Sequence, residues 1–351
     1  MIVRWARSAP CGGALAGAVL STLALAACGG SGVGHGGSVG SAASPNVVPL
    51  AQSTPATLIL DFVPNAVHAG IYRALAAGYY DGLNVDLHVI QPSSTTDTLK
   101  LIAAGKAQFG IADGLDVAQL IAAGGDAQAI MAITQRPLGG LIGLASEHLS
   151  SPRSLVGRTV GITGVPSDLA VLDTEVRHAG GDPRRVHVVT IGFNGATALV
   201  GGRLAAFTGY WPADGVAVSV SGHPTTVFAL DSEGGPAYPG LVIFTTRALI
   251  ASDPALVRAF VAATVHGYQD TLVSPARSLS DLLTLNPGLS RRLTSASLSA
   301  YLPLFTAPRV AFGTLRPARL AALSSWMVAN HLIRRPIAPA RLATNAFVPG
   351  G

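Results

Sequence analysis

Four groups of residues between positions 61 and 214 have side chains suited to holding a small molecule. The first is Asp61, Phe62, Asn65 and His68, where a carboxylate, a ring, an amide and an imidazole follow one another across a Pro64-Asn65 turn. The second is Asp113, with Asp116 in an equivalent place beyond it. The third pairs the hydroxyls of Thr163 and Ser167 around Gly164-Val165-Pro166, and Asn194 with Gly195 opens a later segment in the same way. The fourth sets Tyr210 and Trp211 beside Asp214 in a stretch bounded by Gly and Pro. Carboxylates accept hydrogen bonds from amino groups, and rings offer a face for stacking. Hydroxyls at a helix N-terminus receive an anion or a polar group.

Most of these groups follow a short apolar run and precede an amphipathic one. Residues 57–60 read as a strand, the polar turn follows, and a helix then carries Ile71, Leu75 and Tyr79 on one face. Further strands are expected at 84–90, 108–112 and 128–133, with helices at 94–104 and 115–123 between them. The helix at 94 opens on Ser93-Ser94 and Thr95-Thr96 as capping residues. Repeated strand and helix units predict a parallel sheet covered on both faces, with loops at the carboxyl ends of its strands meeting in one crevice. A second α/β set follows, with strands at 141–145, 159–162, 186–190 and 226–230 and a helix from Ser167 to His178. The residues from Phe207 to Asp214 read as a loop. After it come a strand at 241–245 and helices at 253–273, 275–285, 291–300 and 316–332.

Gln135-Arg136-Pro137-Leu138-Gly139-Gly140 and the Gly234 to Gly240 segment interrupt this pattern and read as two crossings between lobes. Two crossings imply a hinged cleft. Lobe one is then 56–136 with 240–347, and lobe two is 137–239.

Composition narrows the chemistry. Hydrophobic residues make up 49% and charged residues 12%, yet no stretch of the body is long and uninterrupted enough to cross a bilayer. The formal charge of +5 comes from scattered arginines, with Lys100 and Lys106 the only lysines, so no basic stripe marks a nucleic-acid partner. The histidines beyond His68 (His88, His148, His178, His187, His223, His266 and His331 among them) lack metal-site spacing, and no metal or cofactor is expected. Gly32-Val33-Gly34-His35-Gly36-Gly37 fits a dinucleotide fingerprint but has neither the strand before it nor the helix after it.

The chain opens with Arg4 and Arg7, an apolar run from Gly13 to Leu23 and small residues to Cys28, the pattern of a signal peptide over 1–27. Leu25-Ala26-Ala27-Cys28-Gly29 resembles the lipobox of bacterial lipoproteins, which implies cleavage before Cys28 and lipid on its thiol. Residues 28–55 are then a lipidated Cys and a flexible Gly/Ser/Ala tether. With Cys11 discarded, the body has no thiol for disulfides, metals or catalysis.

The segment Asp61-Phe62-Val63-Pro64-Asn65-Ala66-Val67-His68-Ala69-Gly70-Ile71-Tyr72, then Ala77-Gly78-Tyr79-Tyr80, Gly82-Leu83-Asn84-Val85, Ala103 to Gly110 and Thr344-Asn345-Ala346-Phe347 resemble solute-binding lipoproteins of ABC importers. The most similar group binds thiamine pyrimidine precursors of the hydroxymethylpyrimidine and formylaminopyrimidine type; sulfonate, taurine and nitrate binders share the Ala-Gly-Lys segment. The resemblance implies a type II periplasmic binding protein fold of two α/β lobes. It also implies a small-molecule ligand, ABC permease partners and a monomer anchored by lipid on the outer face of the cell membrane. Phe62 stands where the family often has Trp. Eukaryotic relatives on this fold make the pyrimidine, consuming pyridoxal phosphate and a histidine of their own; the iron motif they carry is missing here, so no enzymatic activity is expected.

An aminopyrimidine calls for a ring to stack on and a carboxylate for its amino group and ring nitrogen. Phe62, Tyr210 and Trp211 are candidates for the first role, and Asp61, Asp113 or Asp214 for the second. Each has a plainer alternative: Phe62 as core, the Tyr210-Trp211 pair as a loop cap, Asp61 and Asn65 as turn residues, Asp214 as a solvated acid, His68 on a helix surface or supporting a contact. A sulfonate or nitrate would instead rely on helix N-termini at Ser93-Ser94, Thr163 and Ser167.

Overall fold

The computed structural model describes residues 47–93, 97–192 and 194–350. The leader, Cys28, most of the tether and the expected caps Ser94 to Thr96 lie outside these residues. The strands are β1 (Thr54–Ile59), β2 (Val85–Ile90), β3 (Phe109–Asp113), β4 (Gln128–Ala132), β5 (Gly139–Leu144), β6 (Thr159–Ile162), β7 (His187–Thr190), β8 (Ala206–Tyr210), β9 (Thr225–Ala229) and β10 (Leu241–Thr245). The first six helices are α1 (Ala69–Ala76), α2 (Asp97–Ala103), α3 (Gly114–Ala122), α4 (Pro166–His178), α5 (Gly195–Val200) and α6 (Val216–Val220). After them come α7 (Arg247–Ser252), α8 (Pro254–Val273), α9 (Pro275–Leu285), α10 (Arg291–Tyr301), α11 (Pro317–Ala329) and α12 (Pro339–Leu342).

Two five-stranded sheets result, ordered β2-β1-β3-β10-β4 and β7-β6-β8-β5-β9. Both are mixed where parallel sheets were expected. In the first sheet β1 runs parallel to β2 and β3, but β10 lies antiparallel between β3 and β4. In the second, β6 is parallel to β7 and β8 while β5 is antiparallel to β8 and β9. The reason lies in the crossings. The chain leaves the first sheet after β4 and returns beside its own exit: Leu241 N donates to Thr134 Oγ1 at 2.9 Å and Ile133 N to Leu241 O at 2.8 Å. A strand that starts where its neighbour ends must run the opposite way. Arg136 in the first crossing binds Asp231, just after β9 and ahead of the return crossing, with both Nε (2.6 Å) and Nη2 (2.8 Å).

A second expectation is corrected at residues 206–210. They form a strand at the centre of the second sheet rather than a loop, and only Trp211–Gly215 turns, as one π-helical turn. Ala206, Phe207 and Thr208 are buried, and a strand covered on both faces loses the alternation by which strands are read.

The first sheet's core is anchored by α8, where Phe260 stacks on Phe109 with centroids 3.8 Å apart. Helix α1 crosses α8 at glycines, and Tyr268 OH donates to Val67 O at 2.8 Å, fixing the turn that follows β1. On α1 the buried Arg73 holds Asp270 through Nε and Asp281 through Nη1, each at 2.9 Å, and Tyr79 OH donates to Asp270 at 2.5 Å. Removing one partner of a buried pair leaves the others uncompensated. Because both acids are partly solvated, Arg73→Met is expected to cost about 2 kcal/mol, read as a lower urea midpoint at unchanged slope. An unchanged midpoint would show the network to be solvent-screened.

Candidate functional site

A cavity of about 190 Å³ opens between the sheets where the strand ends converge. Asp61, Phe62 and Asn65 reach it from the turn after β1, and Asp113 and Asp116 from β3 and α3. Thr163, Ser167 and Asp168 come from the β6 to α4 turn, and Thr208, Tyr210 and Asp214 from β8 and the turn after it. Tyr238 from the return crossing and Tyr301 from the end of α10 complete its aromatic walls. Among the described lining residues there are five aspartates and no lysine, arginine or histidine.

Asp61 is held by His68. The Asn65 N–H donates to His68 Nδ1 at 3.1 Å, so Nε2 carries the proton and donates to Asp61 Oδ1 at 2.8 Å. Asn65 caps the turn in return, accepting from Val67 N at 3.0 Å. His68 is fully buried and does not line the cavity, correcting its expected ligand contact. It positions Asp61 instead. Phe62 lines the cavity and is 39% exposed.

Asp113 ends β3 and caps α3, its Oδ1 accepting from Leu115 N at 2.9 Å. Tyr210 OH approaches its Oδ2 at 3.4 Å from the other sheet. Burial, and then the Asp116 carboxyl, push Asp113 up to about 8, against the opposing hydrogen bonds of Leu115, Tyr238 and Tyr210. Burial and Asp168 push Asp116 up to about 6. Burial pushes Asp214 up to about 6, although it accepts from Tyr210 N at 2.8 Å. A carboxyl that is neutral near pH 7 both donates and accepts, so Asp113 matches a ring nitrogen beside an amino group.

The sign of the pH effect follows. These three groups hold protons in the fold at pH values where the unfolded chain has released them. Their contribution to stability is full below about pH 4 and is lost as pH rises through about 6 and then about 8. The melting temperature of the ligand-free protein is therefore expected to fall between about pH 5 and about pH 8.5. Asp113→Asn should flatten that slope, and a rise with pH would refute the burial of these acids.

Three other expected contacts stand elsewhere. Trp211 packs partly buried against the cores of both sheets, because successive residues at a strand end point to opposite sides and Tyr210 takes the cleft side. Asn194 is exposed and bonds Ile191 O at 3.2 Å, away from the cavity. Gly195 lies under the Phe207 ring, which a Cβ would approach to 2.3 Å. In the turn before α4, Asp168 Oδ2 accepts from Thr163 Oγ1 at 2.6 Å and Gly164 N at 3.0 Å, while no side chain caps the helix itself. Sequence reasoning missed Tyr238 and Tyr301, and it pointed to the 163–168 and 208–214 segments without singling out Asp168 or Thr208. Only Tyr238, an aromatic inside a Gly/Pro-rich crossing, carried a local signal.

A sequence model described as NMT1/THI5 like matches residues 65–278. The formylaminopyrimidine-binding protein of Halalkalibacterium halodurans is 29% identical over 83% of this chain and 88% of that protein. The riboflavin-binding protein RibY of Chloroflexus aurantiacus is 27% identical over 88% of this chain and 90% of its own. At 25% identity, a 4-amino-5-hydroxymethyl-2-methylpyrimidine phosphate synthase of Legionella pneumophila covers 71% of this chain and 79% of its own. Among solved structures, the alkanesulfonate-binding protein SsuA from Xanthomonas axonopodis pv. citri bound to MOPS superimposes with a TM-score of 0.64 at 15% identity, over 84% of this chain and 99% of that one. That likeness establishes the two-lobed periplasmic binding protein fold.

Proposed function

This chain belongs to the NMT1/THI5-like family, and from that premise we propose that it is the extracytoplasmic solute-binding component of an ABC importer, taking an aminopyrimidine of the hydroxymethylpyrimidine or formylaminopyrimidine type. The observation that carries this reading is the cleft's chemistry: tyrosine walls, buried carboxyls and no cationic side chain among its described lining residues. A flat ring stacks on Tyr210, Tyr238 or Phe62, and Asp113 pairs with its amino group and ring nitrogen. The lipid on Cys28, the tether, the lobes 56–136 with 240–347 and 137–239, a monomeric state and permease partners belong to the same proposal. Closure about the two crossings brings the two lobes onto the ligand, and the closed surface is what a permease reads.

A sulfonate or nitrate fits this cleft poorly. An anion would meet five carboxyls, and in the turn before α4 the Thr163 hydroxyl and the Gly164 N–H are already taken by Asp168. An enzyme that consumes its own histidine needs that ring at the substrate, and His68 is sealed behind Asp61. Isothermal titration of the purified protein with hydroxymethylpyrimidine, formylaminopyrimidine, riboflavin and taurine tests the reading. A dissociation constant of about micromolar or tighter for a pyrimidine is expected. Heat from taurine alone would overturn it.

A further inference from the structure

Two carboxyls of the cleft come from opposite lobes. Asp116 stands in the first turn of α3 and Asp168 in the first turn of α4, and both line the cavity. They are near enough for the charge of Asp168 to act on Asp116. Asp168 is engaged through Oδ2 alone, and the Asp116 carboxyl has no hydrogen-bond partner among the described residues. The titratable groups that share the cavity with this pair are Asp61, Asp113, Asp214, Tyr210, Tyr238 and Tyr301, all acids. An independent feature of the same cavity points to a ligand. Thr208, 2% exposed on β8, lines it with an Oγ1 that has no partner among the described residues. A buried hydroxyl left unpaired is unfavourable, so the cleft is built for something that supplies its partner.

We infer that Asp116 and Asp168 form a cross-cleft acid pair that lobe closure brings together only around a positive charge or a proton. The site then selects a ring bearing a cationic amino substituent over the same ring with a neutral one, and it rejects the phosphorylated form. This rests on the cleft being the solute site proposed above. Like charges drawn from two lobes oppose closure, whereas an ammonium between them turns that repulsion into two charge-assisted hydrogen bonds. Each carboxyl has an oxygen to offer, because the bonds that fix Asp168 use only its other oxygen. The empty protein at neutral pH is thereby biased open, and the ligand's own charge triggers closing.

Two probes that share one ring provide the test: hydroxymethylpyrimidine, and its aminomethyl analogue in which an ammonium replaces the hydroxyl. By titration at neutral pH the purified protein is expected to bind the ammonium form about tenfold more tightly. Asp116→Asn and Asp168→Asn should each bring the ratio of the two affinities close to one, with melting temperatures showing that the variants fold. A ratio near one in the unaltered protein, or one that neither variant changes, overturns the pair's role. A second measurement needs no pyrimidine. The distance between spin labels on the two lobes should shorten when the ligand-free protein is taken from about pH 8 to about pH 5, and Asp116→Asn should already be short at the higher value. Distances insensitive to both pH and substitution overturn the pair as a gate. If neither probe binds, the pyrimidine assignment falls, and the label distances still decide whether the pair controls closure.

Discussion

Asp113→Ala is expected to weaken pyrimidine binding by about a hundredfold while leaving the protein folded. The carboxyl is the one buried group that reaches the cleft from the end of β3 and is met there by a tyrosine of the other sheet. Its removal takes away a charge-assisted or acid hydrogen bond, about 1.5 to 3 kcal/mol, and strands the ligand's amino group in a desolvated site. Two effects on stability oppose each other. Loss of the Leu115 cap costs about 1 kcal/mol, and relief from burying an acid pushed up to about 8 offsets it near neutral pH. Asp113→Asn keeps the cap and one donor for the ring nitrogen, so its affinity should fall between the two. Titration and thermal melting on the same preparations separate these effects. Undiminished binding by Asp113→Ala would move recognition to another carboxyl.

Gly267→Leu is expected to abolish accumulation of folded protein, and Gly267→Ala to lower stability by about 3 kcal/mol. A Cβ at Gly267 would stand 2.1 Å from Gly70 O and 2.7 Å from the Ala74 Cβ, so α1 and α8 meet backbone to backbone there. Seen from the other helix, a Cβ at Gly70 would fall 2.3 Å from the Tyr268 ring. Alanine is the better helix former by about 1 kcal/mol, but backbone atoms cannot swing aside as a side-chain end can. The crowding therefore outweighs the propensity. The effect extends to the site, since α1 continues from the turn that presents Asp61 and Phe62, and Tyr268 ties that turn to α8 through Val67 O. Urea titration followed by circular dichroism measures it. An alanine variant as stable as the parent would mean that the helices are farther apart than described.

The unit from β1 to α1 was legible because its signals are local: an apolar run, a Pro-Asn turn with Asn65 as cap, and apolar residues at helical spacing. The strand-end residues Asp61, Asp113 and Thr163 were legible for the same reason, whereas Tyr210 and Asp214 stood out by residue type alone in a stretch that reads as a loop. They line the cleft because strand ends of both sheets open into it. What was hidden depends on distant chain. The direction of β10 is set by a return from more than a hundred residues away, and Tyr301 reaches the cleft from α10, far from any strand end. Trp211 shows how fine the distinction is: one position beyond Tyr210, it turns away from the cavity and packs, partly buried, against the cores. His68 shows another limit. Its type and spacing mark it as functional, but only the hydrogen bonds of Asn65 and Asp61 reveal that it acts on a side chain rather than on a ligand.

A crystal structure of the protein grown with hydroxymethylpyrimidine tests the central claim most directly. The ring is expected between the lobes against Tyr210 and Tyr238, its amino group and ring nitrogen on Asp113, and Thr208 Oγ1 with a partner. A ring bound outside the cleft, or an anion in the cleft beside Thr163 and Ser167 in its place, would contradict it.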